Sequence, residues 1–249
     1  MSKFFVNKEQ INGEEITIIG QDVNHIINVL RMNEGDRINI TDLNSKTNYI
    51  STIIEKNNKS IKCKIESKEG SISESRVKIT VFQGIPKFDK MELIIQKNVE
   101  LGVCDITPVE MKRTVVKIDE KTRKSKIERW QKISEVAAKQ SGRDIIPKIN
   151  DIINIKNICN LISKYDIVLL AYEEEKENTL KKELKNLYSK TDEEIKIGII
   201  IGPEGGLDTE EVTMLKENGA KTITLGNRIL RTETAGIVLT SLIMYELDS

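Results

Sequence analysis

Two apolar runs near the C-terminus each end in a glycine-bearing turn, and nothing else in the chain restricts its fold as much. The first reads Ile195-Lys-Ile-Gly-Ile-Ile-Ile-Gly-Pro-Glu-Gly-Gly206. Ile195 to Ile201 is dominated by β-branched residues, the pattern of a strand buried on both faces. Gly202 and Pro203 stop it. Gly205 and Gly206 allow positive φ and close approach of a ligand. Asp208 then reads as an N-cap with Glu211 as its capping-box partner, and the helix runs to about Asn218, with Gly219 as its stop. Such a loop serves equally well as a tight strand-to-helix turn that binds nothing.

The second run reads Leu225-Gly-Asn-Arg-Ile-Leu-Arg-Thr-Glu-Thr-Ala235. Thr222 to Leu225 is a short strand and Gly226-Asn227 turns the chain. Ile229 and Leu230 are apolar in a loop, which suits a pocket floor. Thr232 is placed to cap the helix that follows, from Ala235 to Leu247, and Glu233 in its first turn favours the macrodipole. Arg231 has no such structural account. A cation at a helix N-terminus is disfavoured, so it calls for a partner: Glu233, Glu204 or an anionic ligand. Paired strand ends of this kind are where α/β sheets hold ligands.

Ahead of these runs the pattern divides in two. Residues 1–70 are β-rich, with short strands at Phe4–Val6, Ile16–Ile19, Arg37–Ile40, Tyr49–Ile54 and Ser60–Ile65 and turn residues between them. One helix is expected from Asp22, as its cap, to Arg31, with Val23, Ile26, Ile27 and Leu30 on one face. This is the outline of a small PUA-like or OB-type barrel. Residues 71–75 close a polar Gly/Ser linker. From 76 to 249, strands alternate with helices, which predicts an α/β domain with a mostly parallel sheet. Its strands fall at Val77–Phe82, Val103–Val109 and Asp166–Ala171. Helices carry Met91 to Val99, Thr122 to Gln140 (with Trp130 in the core) and a charged stretch from about Glu174 to Tyr188.

Charge and composition remove several classes. The net charge is zero, but residues 76–150 hold 17 Lys and Arg against 10 Asp and Glu, so the basic surplus is concentrated in the middle of the chain. That segment suits a phosphate-facing surface, or else a set of solvated amphipathic helices. No apolar run is long enough for a membrane span, no signal peptide is expected, and three scattered cysteines suit a reducing, cytoplasmic setting. One His and no Cys pair predict no metal site.

The two C-terminal motifs closely resemble the RsmE family, the 16S ribosomal RNA (uracil-N3)-methyltransferases of the SPOUT superfamily. The likeness extends over Lys90-Met-Glu-Leu-Ile-Ile-Gln-Lys97, Glu100-Leu-Gly-Val103, Trp130-Gln-Lys-Ile133, Gln140-Ser-Gly-Arg143, His25, Val29-Leu-Arg-Met32 and Gly35-Asp36. The resemblance implies a SPOUT domain with a C-terminal trefoil knot, a PUA-like N-terminal barrel and a homodimer. It implies S-adenosylmethionine as methyl donor, held by Leu170, Ala171 and Tyr172 and by the loop Ile201, Gly202, Pro203, Glu204, Gly205 and Gly206. Leu225, Gly226, Asn227, Ile229, Leu230, Arg231 and Thr232 complete that set. It implies methylation of N3 of one uridine in 16S rRNA near the decoding centre, on a 30S subunit. We read Arg231, taken as buried, as stabilising the uridinate and Glu233 as its support. Lys3, His25, Arg31, Lys87, Lys90, Arg113 and Arg143 are candidate RNA contacts, Arg143 foremost. A ribose 2′-O methyltransferase acting on tRNA or rRNA, or an RNA-binding assembly factor without catalysis, are the alternatives.

Overall fold

The computed structural model describes residues 3–70, 73–189 and 193–248. The chain forms two compact units. The first contains residues up to Glu74 together with Ala138–Ile146, and the second contains Ser75–Ala137 and the chain from Pro147. The strand–helix alternation from 76 onward places 138–146 in the second domain. The structure ties it to the first through charge. The guanidinium of Arg143 donates to Glu74 (2.6 Å), as does the Asp144 N–H (2.9 Å). The Asp144 carboxylate accepts from the Lys3 ammonium and the Ser73 N–H. Of the expected linker, Ser71 and Ile72 lie outside the described residues.

In the first unit, β1 (Lys3–Val6), β2 (Ile11–Asn12), β3 (Glu15–Ile19), β4 (Arg37–Asp42), β5 (Asn48–Lys56) and β6 (Ser60–Glu69) make one sheet. The order is β1-β4-β5-β6-β3-β2, antiparallel except for the parallel β1/β4 pair. Alternation sets the faces: Ile16 and Ile18, then Ile38 and Ile40, point into a core shared with Phe4, Val23, Ile26 and Ile61. The expected helix is shorter and different in kind. Helix α1 (Gln21–Asn24) runs directly into a π-turn (His25–Val29) and is capped at Gly20 rather than Asp22. Asp22 pairs instead with Lys139 at 2.8 Å.

The second unit carries β7 (Val77–Gly84), α2 (Lys90–Glu100), β8 (Asp105–Glu110) and α3 (Glu120–Ser141), whose last turn belongs to the first unit. Next come β9 (Lys148–Ile149), β10 (Ile153–Asn154), α4 (Ile155–Leu161), β11 (Ile167–Ala171) and α5 (Leu180–Leu184). The chain ends with β12 (Ile195–Ile201), α6 (Thr209–Glu217), β13 (Lys221–Ile223) and α7 (Thr232–Leu247). The sheet is parallel in the order β10-β8-β7-β12-β11-β13, with β9 also on β8. Phe82, Val168, Leu170 and Ile200 are buried on one face and Ile197 and Ile199 of β12 are buried on the other, so the both-face burial read from β12 is correct. The charged stretch 174–188 is a turn followed by α5 and a short 3-10 segment, not one long helix. No helix among the described residues is long and apolar enough to cross a membrane.

Candidate active site

Strand order builds the site. β11 lies between β12 and β13, so the chain leaving their C-terminal ends enters one place: 172–178, 202–207 and 224–231. These segments enclose a cavity of about 440 Å³, within the range of small-molecule sites. Its lining includes Ala171, Tyr172, Ile201, Gly202, Pro203, Glu204 and Gly206. From the second motif come Leu225, Gly226, Asn227, Ile229, Leu230, Arg231 and Thr232. The structure therefore brings together all the residues expected around a methyl donor except Leu170 and Gly205. Leu170 is fully buried inside the sheet. Gly205 packs against Arg113, where a Cβ would come within 3.1 Å of the Arg113 Cβ.

Local rules shape the two loops. Gly206 takes φ +69, and a Cβ there would sit 2.5 Å from a Glu173 carboxylate oxygen. Asp208 caps α6, with Glu211 closing the capping box. Gly226 takes φ +103, and a Cβ would meet nothing within 4 Å. Backbone conformation rather than crowding thus demands glycine there, and the space beside it is open.

Thr232 does not cap α7. Arg231 occupies the N-cap position without a side-chain bond. The Thr232 hydroxyl donates to the Gly202 carbonyl (2.6 Å) and accepts from the buried Gln83 amide (2.9 Å). It thereby fastens the second loop to the first. Sequence reading missed Gln83, although an amide at the end of the apolar strand Val77–Phe82 was a usable signal. It also missed Glu173 and Lys176 on the cavity wall, because it placed them near the start of a solvated helix.

The charges are arranged differently from expectation. Lys90, a candidate RNA contact, bridges Glu204 (3.2 Å) and Glu233 (3.4 Å). The hydrogen bond to Glu204 holds its ammonium above the usual lysine range, with Glu233 adding to the effect. Burial pushes the Glu204 carboxyl up, but its own N–H, the Lys87 N–H and the Lys90 ammonium outweigh this and leave it below the usual range. Both carboxylates that were candidate partners for Arg231 are thus engaged by Lys90. Arg231 is exposed rather than buried, on the cavity lining.

The remaining RNA candidates are dispersed. Arg143 is 4% exposed and bound to Glu74, and the Lys3 ammonium is held by Asp144 and Asn48. Those two cations are engaged by carboxylates within the first unit. His25 is exposed with its ring against Phe4, and Arg31 is exposed with φ +54. Arg113 is exposed and donates to the Gly205 carbonyl at 3.2 Å. The Lys87 N–H is bound to Glu204.

The chain that builds this sheet and cavity matches two family models. One is an RNA methyltransferase domain over residues 73–244, the other an RNA methyltransferase PUA domain over residues 18–66. The class of the protein is therefore an RNA methyltransferase with a PUA-like N-terminal domain.

Full-length relatives narrow the class. Ribosomal RNA small subunit methyltransferase E of Bacillus subtilis is 35% identical over 254 residues, covering 100% of this chain and 98% of that one. The enzyme of the same name from Mesomycoplasma hyopneumoniae is 35% identical, covering 96% of this chain and 97% of its own. The crystal structure of the Neisseria gonorrhoeae enzyme of that name, bound to S-adenosyl methionine, matches with a TM-score of 0.84 at 27% identity, covering 99% and 98% of the two chains. The chain belongs to the ribosomal RNA small subunit methyltransferase E family.

Proposed function

We propose that this protein binds S-adenosylmethionine in the 440 Å³ cavity and methylates N3 of one uridine of 16S rRNA near the decoding centre. It does so in the cytoplasm on an assembled or nearly assembled 30S subunit, as a homodimer whose C-terminal domain is threaded as a trefoil knot. The observation that carries this reading is the convergence of three strand-end segments on one cavity with Arg231 on its lining.

The residues suit the donor. Ile201, Leu225, Leu230 and Ala235 give apolar lining for a flat adenine, and the open space beside Gly226 allows close approach to backbone. Bound there, S-adenosylmethionine supplies an electrophilic methyl carbon on a sulfonium.

The chain's own residues then have to deal with the acceptor. Uracil N3 is a nucleophile only after its proton has passed to solvent, which leaves on the ring a negative charge that the incoming methyl neutralises. Arg231 stays cationic throughout and can hold that charge. Its exposure means that RNA itself must cover it, so the guanidinium strengthens as a stabiliser only when substrate excludes water. Lys90 keeps Glu204 and Glu233 from competing for it. Glu233 serves to position Lys90, and Thr232 fixes the start of α7 against Gly202.

Mass spectrometry of 16S rRNA nucleosides from a deletion strain tests the reaction. Loss of 3-methyluridine, restored by the gene, is the expected result. Loss of a 2′-O-methylated nucleoside with 3-methyluridine intact would overturn it.

A further inference from the structure

One aromatic side chain beside the cavity is placed against every local preference. Phe88 is 88% exposed and sits at φ +53, a left-handed conformation that a residue bearing a Cβ rarely adopts. The ring gains no burial there, and the backbone is unfavourable for it.

The segment carrying it is nevertheless well anchored. Before Phe88, buried Ile85 donates its N–H to the Val109 carbonyl at 3.0 Å. Gly84 packs so tightly on the first cavity loop that a Cβ would lie 2.6 Å from the Pro203 nitrogen. Lys87 donates its N–H to both Glu204 oxygens, at 3.0 and 3.2 Å. After Phe88, Lys90 binds the same Glu204 and lines the cavity. Glu204 therefore clamps both sides of Phe88 to the rim, and the ring is held out in solvent by a fixed backbone. A second exposed apolar side chain, Ile229 at 86%, stands on the other cavity loop.

Unstacked RNA bases are recognised by stacking on aromatic rings, which is tolerant of sequence because every base has a π-face. We propose that Phe88 is the stacking platform for a base of the single-stranded or flipped RNA segment that delivers the target nucleotide to the cavity. This rests on the reading above that the site methylates RNA. Phe88 positions substrate and takes no part in bond making.

The test uses Phe88→Gly and Phe88→Trp in the full chain. Glycine relieves the left-handed backbone while removing the ring, so its thermal midpoint should equal or exceed that of wild type. Its KM for 30S subunits from a deletion strain should rise about tenfold. Its kcat at saturation and its S-adenosylmethionine affinity should hold, and tryptophan should keep the wild-type KM. A wild-type KM for Phe88→Gly overturns the proposal. A separate arm needs no methyl transfer: a single-stranded oligouridylate carrying 5-iodouridine is photocrosslinked to wild-type enzyme and mapped. Crosslinking at Phe88, with weaker binding by the glycine variant, supports stacking even if 30S proves the wrong substrate. Equal binding by both proteins, with crosslinks elsewhere only, refutes it.

Discussion

Arg231 is the residue whose environment differs most from what its neighbours in sequence suggest. Glu233 stands two positions away and Glu204 lies in the other motif, yet both are taken by Lys90. A guanidinium at a helix N-terminus, exposed and lining a cavity, is suited to an anion that arrives with substrate. Arg231→Ala should therefore lower single-turnover methylation by about 100-fold or more, in line with loss of one electrostatic stabiliser. Donor affinity measured by calorimetry should stay within a few-fold. An equal loss of donor affinity would make Arg231 a donor ligand instead. Motif reading located Arg231, because a cation in that position lacks a structural explanation. It could not foresee Lys90 as the bridge, since that pairing joins residues more than a hundred positions apart. Thr232 was misread as a helix cap for the same reason: its hydroxyl serves Gly202, 30 residues away.

At the scale of elements, the turn after β11 supports one cavity wall, and a single carboxylate organises it. Glu175 accepts from the Thr222 hydroxyl at 2.7 Å and from the N–H groups of Lys176, Glu177 and Asn178 at 3.1 Å. The Thr222 bond first, then the backbone bonds, hold its carboxyl down to about 2 against an ordinary value of 4.5. A depressed carboxyl stabilises the fold above its unfolded value and ceases to do so as pH falls through its folded value. The stabilisation is thus complete above about pH 5 and fades between there and pH 2. Glu175→Gln should melt below wild type at neutral pH, with the gap closing as pH approaches 2; thermal unfolding followed by circular dichroism across that range checks it. Such local chemistry was partly legible. The Asp208 and Glu211 capping box and the apolar run of β12 announce themselves within a few residues. The elements β9, β10 and α4 do not, because Lys148–Leu161 mixes Ile, Asn and Lys without a clean period of 2 or 3.6. The turn at 172–178 was hidden by its charge, which looks like a solvated helix until Thr222 is brought beside it.

For the whole molecule, helix α7 is the surface we propose for the homodimer. Helix α7 buries Ala235, Leu239 and Ile243 on one side and leaves Leu242 at 42% and Tyr245 at 73% exposure on the other. Apolar groups of this size on an outer helix face are suited to a second copy of the chain. Leu242→Arg is expected to halve the mass found by light scattering, with circular dichroism unchanged; a variant that keeps the wild-type mass would remove α7 from the interface.

The N-terminal unit has a consequence for anyone who would move it between proteins. Its residues come from two stretches of chain, and Glu74 meets Arg143 while Lys3 meets Asp144. Cutting after residue 74 yields a fragment lacking both partners, with Glu74 stripped of a buried cation. A transplant that respects this wiring must carry 138–146 along, so the unit is inherited as a pair of segments and not as a detachable N-terminal cassette.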